Sequence, residues 1–163
     1  TRRIIHERAA HLPTQELASE TKRVRLALEE QRAGSRRSSE IDIKYGRGGM
    51  LDIYFAMRYL QLRDNIPDLP EDRSTTFMLE KLVESDSLTS ESHSELFAGY
   101  KFLSTLDHNL RLTVGRMSRV PLANQSALQT IAARMNLASA NDLLENLTIH
   151  RLSIRKAFDE ILS

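Results

Sequence analysis

SESHSELFAGYKFLSTLDHNLRLTVGRM, residues Ser90 to Met117, is the stretch whose reading decides the fold. Leu96, Tyr100, Leu103, Leu106, Leu110 and Val114 step along it by three or four, the interval at which side chains share one face of an α-helix. Gly99 and Gly115 each weaken such a helix by about 1 kcal/mol relative to alanine, little beside the apolar face of so long a run. Pro121 ends it. Downstream, Asn124 can cap a helix carrying Leu128, Ile131, Ala132 and Met135. Ser139 or Asn141 can cap a last helix that runs through Leu143, Leu144, Leu147, Leu152, Ile154, Phe158, Ile161 and Leu162.

Upstream the same period recurs. Thr75 to Val83 reads as a helix through Phe77, Leu79 and Leu82, preceded by the turn-rich IPDLPEDR of residues 66–73. From Met50 to Leu62 the apolar positions Met50, Ile53, Phe55, Ala56, Met57, Leu60 and Leu62 cover much of the helix circumference, the pattern of a helix buried between neighbours. Residues 14–33, between Pro13 and Gly34, form a further helix with Leu17, Val24 and Leu28 as its apolar stripe. GSRRSSE, residues 34–40, is a polar linker by composition. IDIKY, residues 41–45, alternates like a short extended segment with no sheet to join. The expectation is an all-α bundle of about five or six helices, with residues 1–40 as an N-terminal helical segment and polar linker and residues 41–163 as the helical domain.

Composition excludes several classes of function. With 23 Lys and Arg against 22 Asp and Glu, the net charge of +1 provides no global field for nucleic acid or an anionic membrane. The absence of cysteine removes disulfides, thiolate nucleophiles and cysteine-ligated metals. No apolar run approaches the ~18 residues of a membrane span, so a cytoplasmic protein is expected. Because the chain starts at Thr1, a fragment, a processed product and a sequence lacking its first residues all stay open.

IDIKYGRGGMLDIYF, residues 41–55, holds the candidate chemistry. Three of the six glycines, Gly46, Gly48 and Gly49, fall within four residues, where the backbone bends or approaches another group closely. Lys44 and Arg47 flank the bend, and the N–H groups of Gly48 and Gly49 precede a helix start, where unpaired donors favour an anion such as phosphate. Asp52, in the first turn, could cap the helix, pair with Arg47 or Lys44, or help hold a divalent ion. The glycines could equally serve close helix packing, with Asp52 a plain capping acid. Elsewhere His6 and His11 in HERAAH are five apart, not the four of a metal-binding helix pair, and read as a surface pair. His93, His108 and His150 stand alone, each a solvated or hydrogen-bonded imidazole. No serine elbow or Walker lysine is present, and neither a catalytic nor a metal-ligating residue is assigned.

IDIKYGRGGMLDIYFAMRYLQL resembles the Asp-hydrophobe-Lys, Gly-x-Gly-Gly, Asp-Ile-Glu-Phe segment of the glutamine synthetase adenylyltransferases. GYKFLSTLDHNLRL is similar to that family's Ala-Tyr-x-Phe-Leu helix at Tyr100, Phe102, Leu103, His108 and Leu110, and IHRLSIRKAFDEIL resembles its closing segment at His150, Arg151, Ile154 and Phe158. Tyr54 stands where the family has glutamate, and Arg47 where proline is common. The resemblance implies a C-terminal helical region that follows a nucleotidyltransferase domain, whose Gly-Ser and Asp-x-Asp signature this chain lacks. It further implies a parent enzyme that uses ATP and Mg2+ to move AMP to and from a tyrosine of glutamine synthetase. Lys44, Arg47, Gly48, Gly49 and Asp52 would lie near the nucleotide phosphates. Alone, the chain would be inactive, since nucleotidyl transfer needs the paired aspartates around the metal. The alternative is a non-catalytic helical module that binds a partner protein.

Overall fold

The computed structural model describes residues 13–33, 39–68, 72–115 and 118–163. His6, His11, most of the expected linker, the centre of the IPDLPEDR connection and Met117 lie outside the described residues. Among the described residues six helices follow one another: α1 (Thr14–Ala33), α2 (Met50–Arg63), α3 (Thr75–Glu84), α4 (Ser90–Val114), α5 (Gln125–Arg134) and α6 (Ala140–Ile161). The all-α bundle expected from the apolar spacing is the fold observed.

Local chemistry sets the helix ends. Ser74, Thr89, Asn124 and Ser139 each accept a hydrogen bond from a first-turn N–H, satisfying a donor the helix cannot pair itself. Gly115 closes α4 in the left-handed conformation at φ 69°. The long helix turns Leu96, Gly99, Leu103, Leu106 and Leu110 inward onto α6, whose Leu143, Leu147, Ile154 and Phe158 answer them. At Gly99 an added Cβ would stand 2.5 Å from Cγ1 of Ile154, so the Ile154 side chain packs into the space the glycine leaves where the two longest helices meet. α2 is inserted between α1, α3, α4 and α6 and buries Ile53, Ala56, Met57, Tyr59 and Leu60, as its all-round apolar pattern requires.

Two expectations are corrected. Residues 41–45 do have a partner: β1 (Glu40–Asp42) pairs antiparallel with β2 (Arg119–Pro121), Ile41 opposite Val120. Three residues ending in proline carry too little alternation to mark a strand. The ladder is fixed instead by tertiary contacts: Asp107 of α4 accepts the backbone N–H of Ser118 at 2.7 Å, and Ile43 N–H donates to Ser118 O at 2.9 Å. The second correction concerns α1. Val24, assigned to its apolar stripe, is 41% exposed, whereas Leu17, Ala18 and the fully enclosed Arg25 face inward. Leu17 keeps its expected place, and the inward position expected of Val24 is taken by its neighbour Arg25.

Candidate functional site

The glycine turn lies between β1 and α2, and its shape follows from its own hydrogen bonds. Oδ1 of Asp42 accepts the N–H groups of Lys44 (2.9 Å) and Tyr45 (2.8 Å), bending the chain directly after the ladder. Gly49 N–H donates to Gly46 O, Met50 N–H to Ile43 O and Leu51 N–H to Lys44 O. Gly48 N–H donates to Oδ2 of Asp52 at 2.7 Å. Asp52 is the third residue after the N-cap Gly49, and it reaches back over the helix start in the manner of a capping-box acid, one residue further out.

The glycines permit approaches that no other residue could make. Gly48 has φ +68°, and a Cβ there would collide with the carbonyl of Arg151 in α6. At Gly49 a Cβ would meet the carbonyl of Ile43 at 2.7 Å. Of the two alternatives for the glycine cluster, close packing against the next element is thus realised. The expectation of unpaired donors at Gly48 and Gly49 is corrected, since both N–H groups are consumed inside the turn. What the turn presents outward are the exposed side chains of Lys44 and Arg47. Beside them, Arg32 of α1 lies over the Tyr45 ring, 4.6 Å from its centroid, and Lys44 Nζ lies at 5.5 Å from the same ring.

Asp52 pairs with neither Lys44 nor Arg47. Its carboxylate is fully enclosed, with Arg25 Nε 2.5 Å from Oδ1 and Arg155 Nη1 3.5 Å from Oδ2. The Arg25 contact is one of charge, without hydrogen-bond alignment. The Arg25 guanidinium donates through Nη2 to the carbonyls of Tyr45 (3.1 Å) and Gly46 (3.0 Å). Glu29 approaches Arg25 and Arg155 at 3.6 Å each, and Asp159 accepts from Arg155 Nε at 3.0 Å. Burial pushes the Asp52 carboxyl above the usual carboxylate range, against the opposing pull of Arg25, the Gly48 N–H and Arg155. A buried pair of this kind adds little net stability, yet removing one partner typically costs about 3–5 kcal/mol because the other is left uncompensated.

The turn does not fit a divalent ion. Asp52 is closed off by two guanidinium groups, Asp42 is engaged with backbone donors, and among the described residues no group of three or more His, Asp or Glu side chains converges on one point. From outside, Arg151 donates Nε and Nη2 to the Arg47 carbonyl at 2.9 and 2.7 Å. Spacing did not identify Arg25, Glu29 and Arg155 in advance. The available signal was Arg25 itself, seven residues after the small Ala18 and on the same helical face. Tyr54 is 43% exposed, with Arg58 5.5 Å from its ring centroid. His150 stacks on Phe102 at 4.5 Å and His93 tilts over Phe97 at 5.3 Å. Among the described residues no helix is long and apolar enough to cross a membrane.

Comparison with known proteins gives this architecture a family. The chain is 28% identical over 130 residues to the bifunctional glutamine synthetase adenylyltransferase/adenylyl-removing enzyme of Neisseria meningitidis serogroup A, an alignment covering 79% of this chain and 14% of that protein. It is 33% identical over 131 residues to the protein of the same description from Corynebacterium diphtheriae, covering 72% of this chain and 12% of the relative. For the Nitrosomonas europaea protein the figures are 29% over 130 residues, 78% and 14%. The chain therefore spans about 14% of the length of the curated relatives it matches. A family described as GlnD PII-uridylyltransferase matches residues 18–162, a span that takes in five of the six helices whole and most of α1, together with the glycine turn, and the chain belongs to that family.

Proposed function

We propose that the chain is the nucleotide-proximal helical domain of a nucleotidyl-transferring protein, one that moves AMP from ATP to glutamine synthetase and removes it. The metal-dependent chemistry belongs to a separate nucleotidyltransferase domain of the same protein. The observation that carries the reading is the pair of exposed cations, Lys44 and Arg47, on a turn whose backbone is held by the internal bonds of Lys44, Tyr45, Gly46, Gly48 and Gly49 N–H and, from outside, by Arg25 and Arg151. A backbone held in place presents the two cations side by side without rearrangement when a polyphosphate arrives, and arginine and lysine suit phosphate oxygens as fork and point charge. In this reading Gly48, Gly49 and Asp52 support the rim rather than touch the ligand. The relatives are described as adenylyltransferases and the family as a uridylyltransferase, so the nucleotide is the part of the proposal to test first.

Chemical-shift titration of the chain with ATP and with UTP is the test. Binding is expected to be millimolar or weaker, about 4 kcal/mol at most, since one wall of the site is being offered without the metal-binding wall. The Lys44→Ala, Arg47→Ala double variant should lose the response and keep its fold; an unchanged response would remove these side chains from the site. Incubated with labelled ATP, Mg2+ and glutamine synthetase, the chain should incorporate no label, and incorporation above a no-enzyme control would refute the assignment of chemistry to a separate domain.

A further inference from the structure

We propose that Arg25 of α1 is the positioning residue of the phosphate-facing rim, holding the Lys44 to Gly48 backbone in shape from the buried side. The inference rests on the rim reading above and names the residue on which the rim depends. Arg25 is fully enclosed, and its Nη2 donates to the successive main-chain carbonyls of Tyr45 and Gly46. Its Nε touches Asp52, whose other oxygen receives the Gly48 N–H. One side chain therefore constrains the peptide groups on both sides of Arg47. Arg151 takes the Arg47 carbonyl from α6, so two guanidinium groups clamp the turn from opposite sides.

A purely structural role would not need this chemistry. α1 could be glued to α2 by an apolar side chain at position 25, and burying a cation for that purpose alone is unfavourable. A planar fork that spans two carbonyls and a carboxylate fixes geometry that an apolar group cannot. α1 otherwise buries only Leu17 and Ala18 among its apolar residues, so Arg25 is also the link through which the seating of α1 reaches Lys44 and Arg47.

The test uses inorganic pyrophosphate as probe and the Gly48 and Gly49 amides as reporters of the turn. Arg25→Lys keeps the charge but lacks the planar fork by which Nε faces Asp52 while Nη2 faces the two carbonyls. It should speed hydrogen exchange at Gly48 and Gly49 and weaken pyrophosphate binding about tenfold, the equivalent of one lost charge-assisted contact. In Arg25→Ala, guanidinium ion at low millimolar concentration should restore both readouts by refilling the vacated space, while leaving the Lys44→Ala, Arg47→Ala variant unrescued. Wild-type exchange at both amides in Arg25→Lys would overturn the proposal, as would weakened binding with neither amide changed. If Arg25→Ala fails to fold, Arg25→Lys decides alone. Absence of any pyrophosphate response in the unsubstituted chain would sink the rim reading, whereas the hold of Arg25 on the turn would still stand or fall on amide exchange.

Discussion

Gly48→Ala and Gly115→Ala make a matched pair. Both glycines sit in the left-handed region, at φ 68° and 69°, so both substitutions incur the same backbone cost, about 1–2 kcal/mol for a residue carrying a Cβ. Their surroundings differ. Around Gly115 nothing among the described residues lies within 4 Å of an added Cβ, whereas at Gly48 that atom would be driven into the Arg151 carbonyl. The collision can be relieved only by moving the turn away from α6. Moving it breaks the buried Gly48 N–H bond to the Asp52 carboxylate, a charged bond worth about 1.5–3 kcal/mol. Gly48→Ala should therefore cost about 2.5–5 kcal/mol and Gly115→Ala about 1–2 kcal/mol, a difference that matters beside a typical domain stability of about 5–15 kcal/mol. Urea unfolding followed by circular dichroism at 222 nm measures both on one scale, with the slope checked for constancy. Equal losses in the two variants would refute the claim that the turn is seated against α6.

Leu106→Ala should cost about 2–5 kcal/mol, because its side chain is fully enclosed at the crossing of the longest helices; a loss under about 1 kcal/mol would mean the site collapses around the vacancy. Burial against Phe102 lowers the pKa of His150, so its ring should titrate by NMR below the ordinary value of about 6.5, and a midpoint at or above that value would contradict the packing. The sign follows from proton counting. Below about 6.5 the unfolded chain binds the proton first, so stability should fall as pH drops from there toward the folded-state midpoint, and His150→Gln should remove that part of the decline.

The helices were legible because each one announces itself locally. Leu103, Leu106 and Leu110 repeat at helical spacing, and Asn124 and Ser139 are residues whose side chains cap by chemistry that needs no knowledge of the rest of the molecule. β2 was not legible, since Arg119–Pro121 is held in place by Asp107 and by residues some eighty positions away. The site divides in the same way. Lys44, Arg47 and the glycines are conspicuous in sequence, and their conformational meaning could be read as a choice between two alternatives. Arg25 could not be assigned, because an arginine on a helix normally reaches solvent and only the tertiary arrangement of Tyr45, Gly46 and Asp52 explains its burial. Asp52 is the intermediate case: its place in the first turn was evident, but its partners come from α1 and α6.

The seat of the glycine turn also orders events in time. Arg151 closes on Arg47 across 104 positions of chain, and Arg155 reaches Asp52 across 103. Pairings so distant in sequence pay their loop-closure entropy before they return any stabilisation, so they form after the local helices on either side. On an emerging polypeptide the residues of the turn wait until α6 has been made as far as Arg151 and Arg155 before they can adopt the backbone that presents Lys44 and Arg47 outward. Pulse-labelling hydrogen exchange during refolding should accordingly find the Gly48 amide protected no earlier than those of α6, and protection at Gly48 ahead of α6 would show that the turn assembles on α1 and α2 alone.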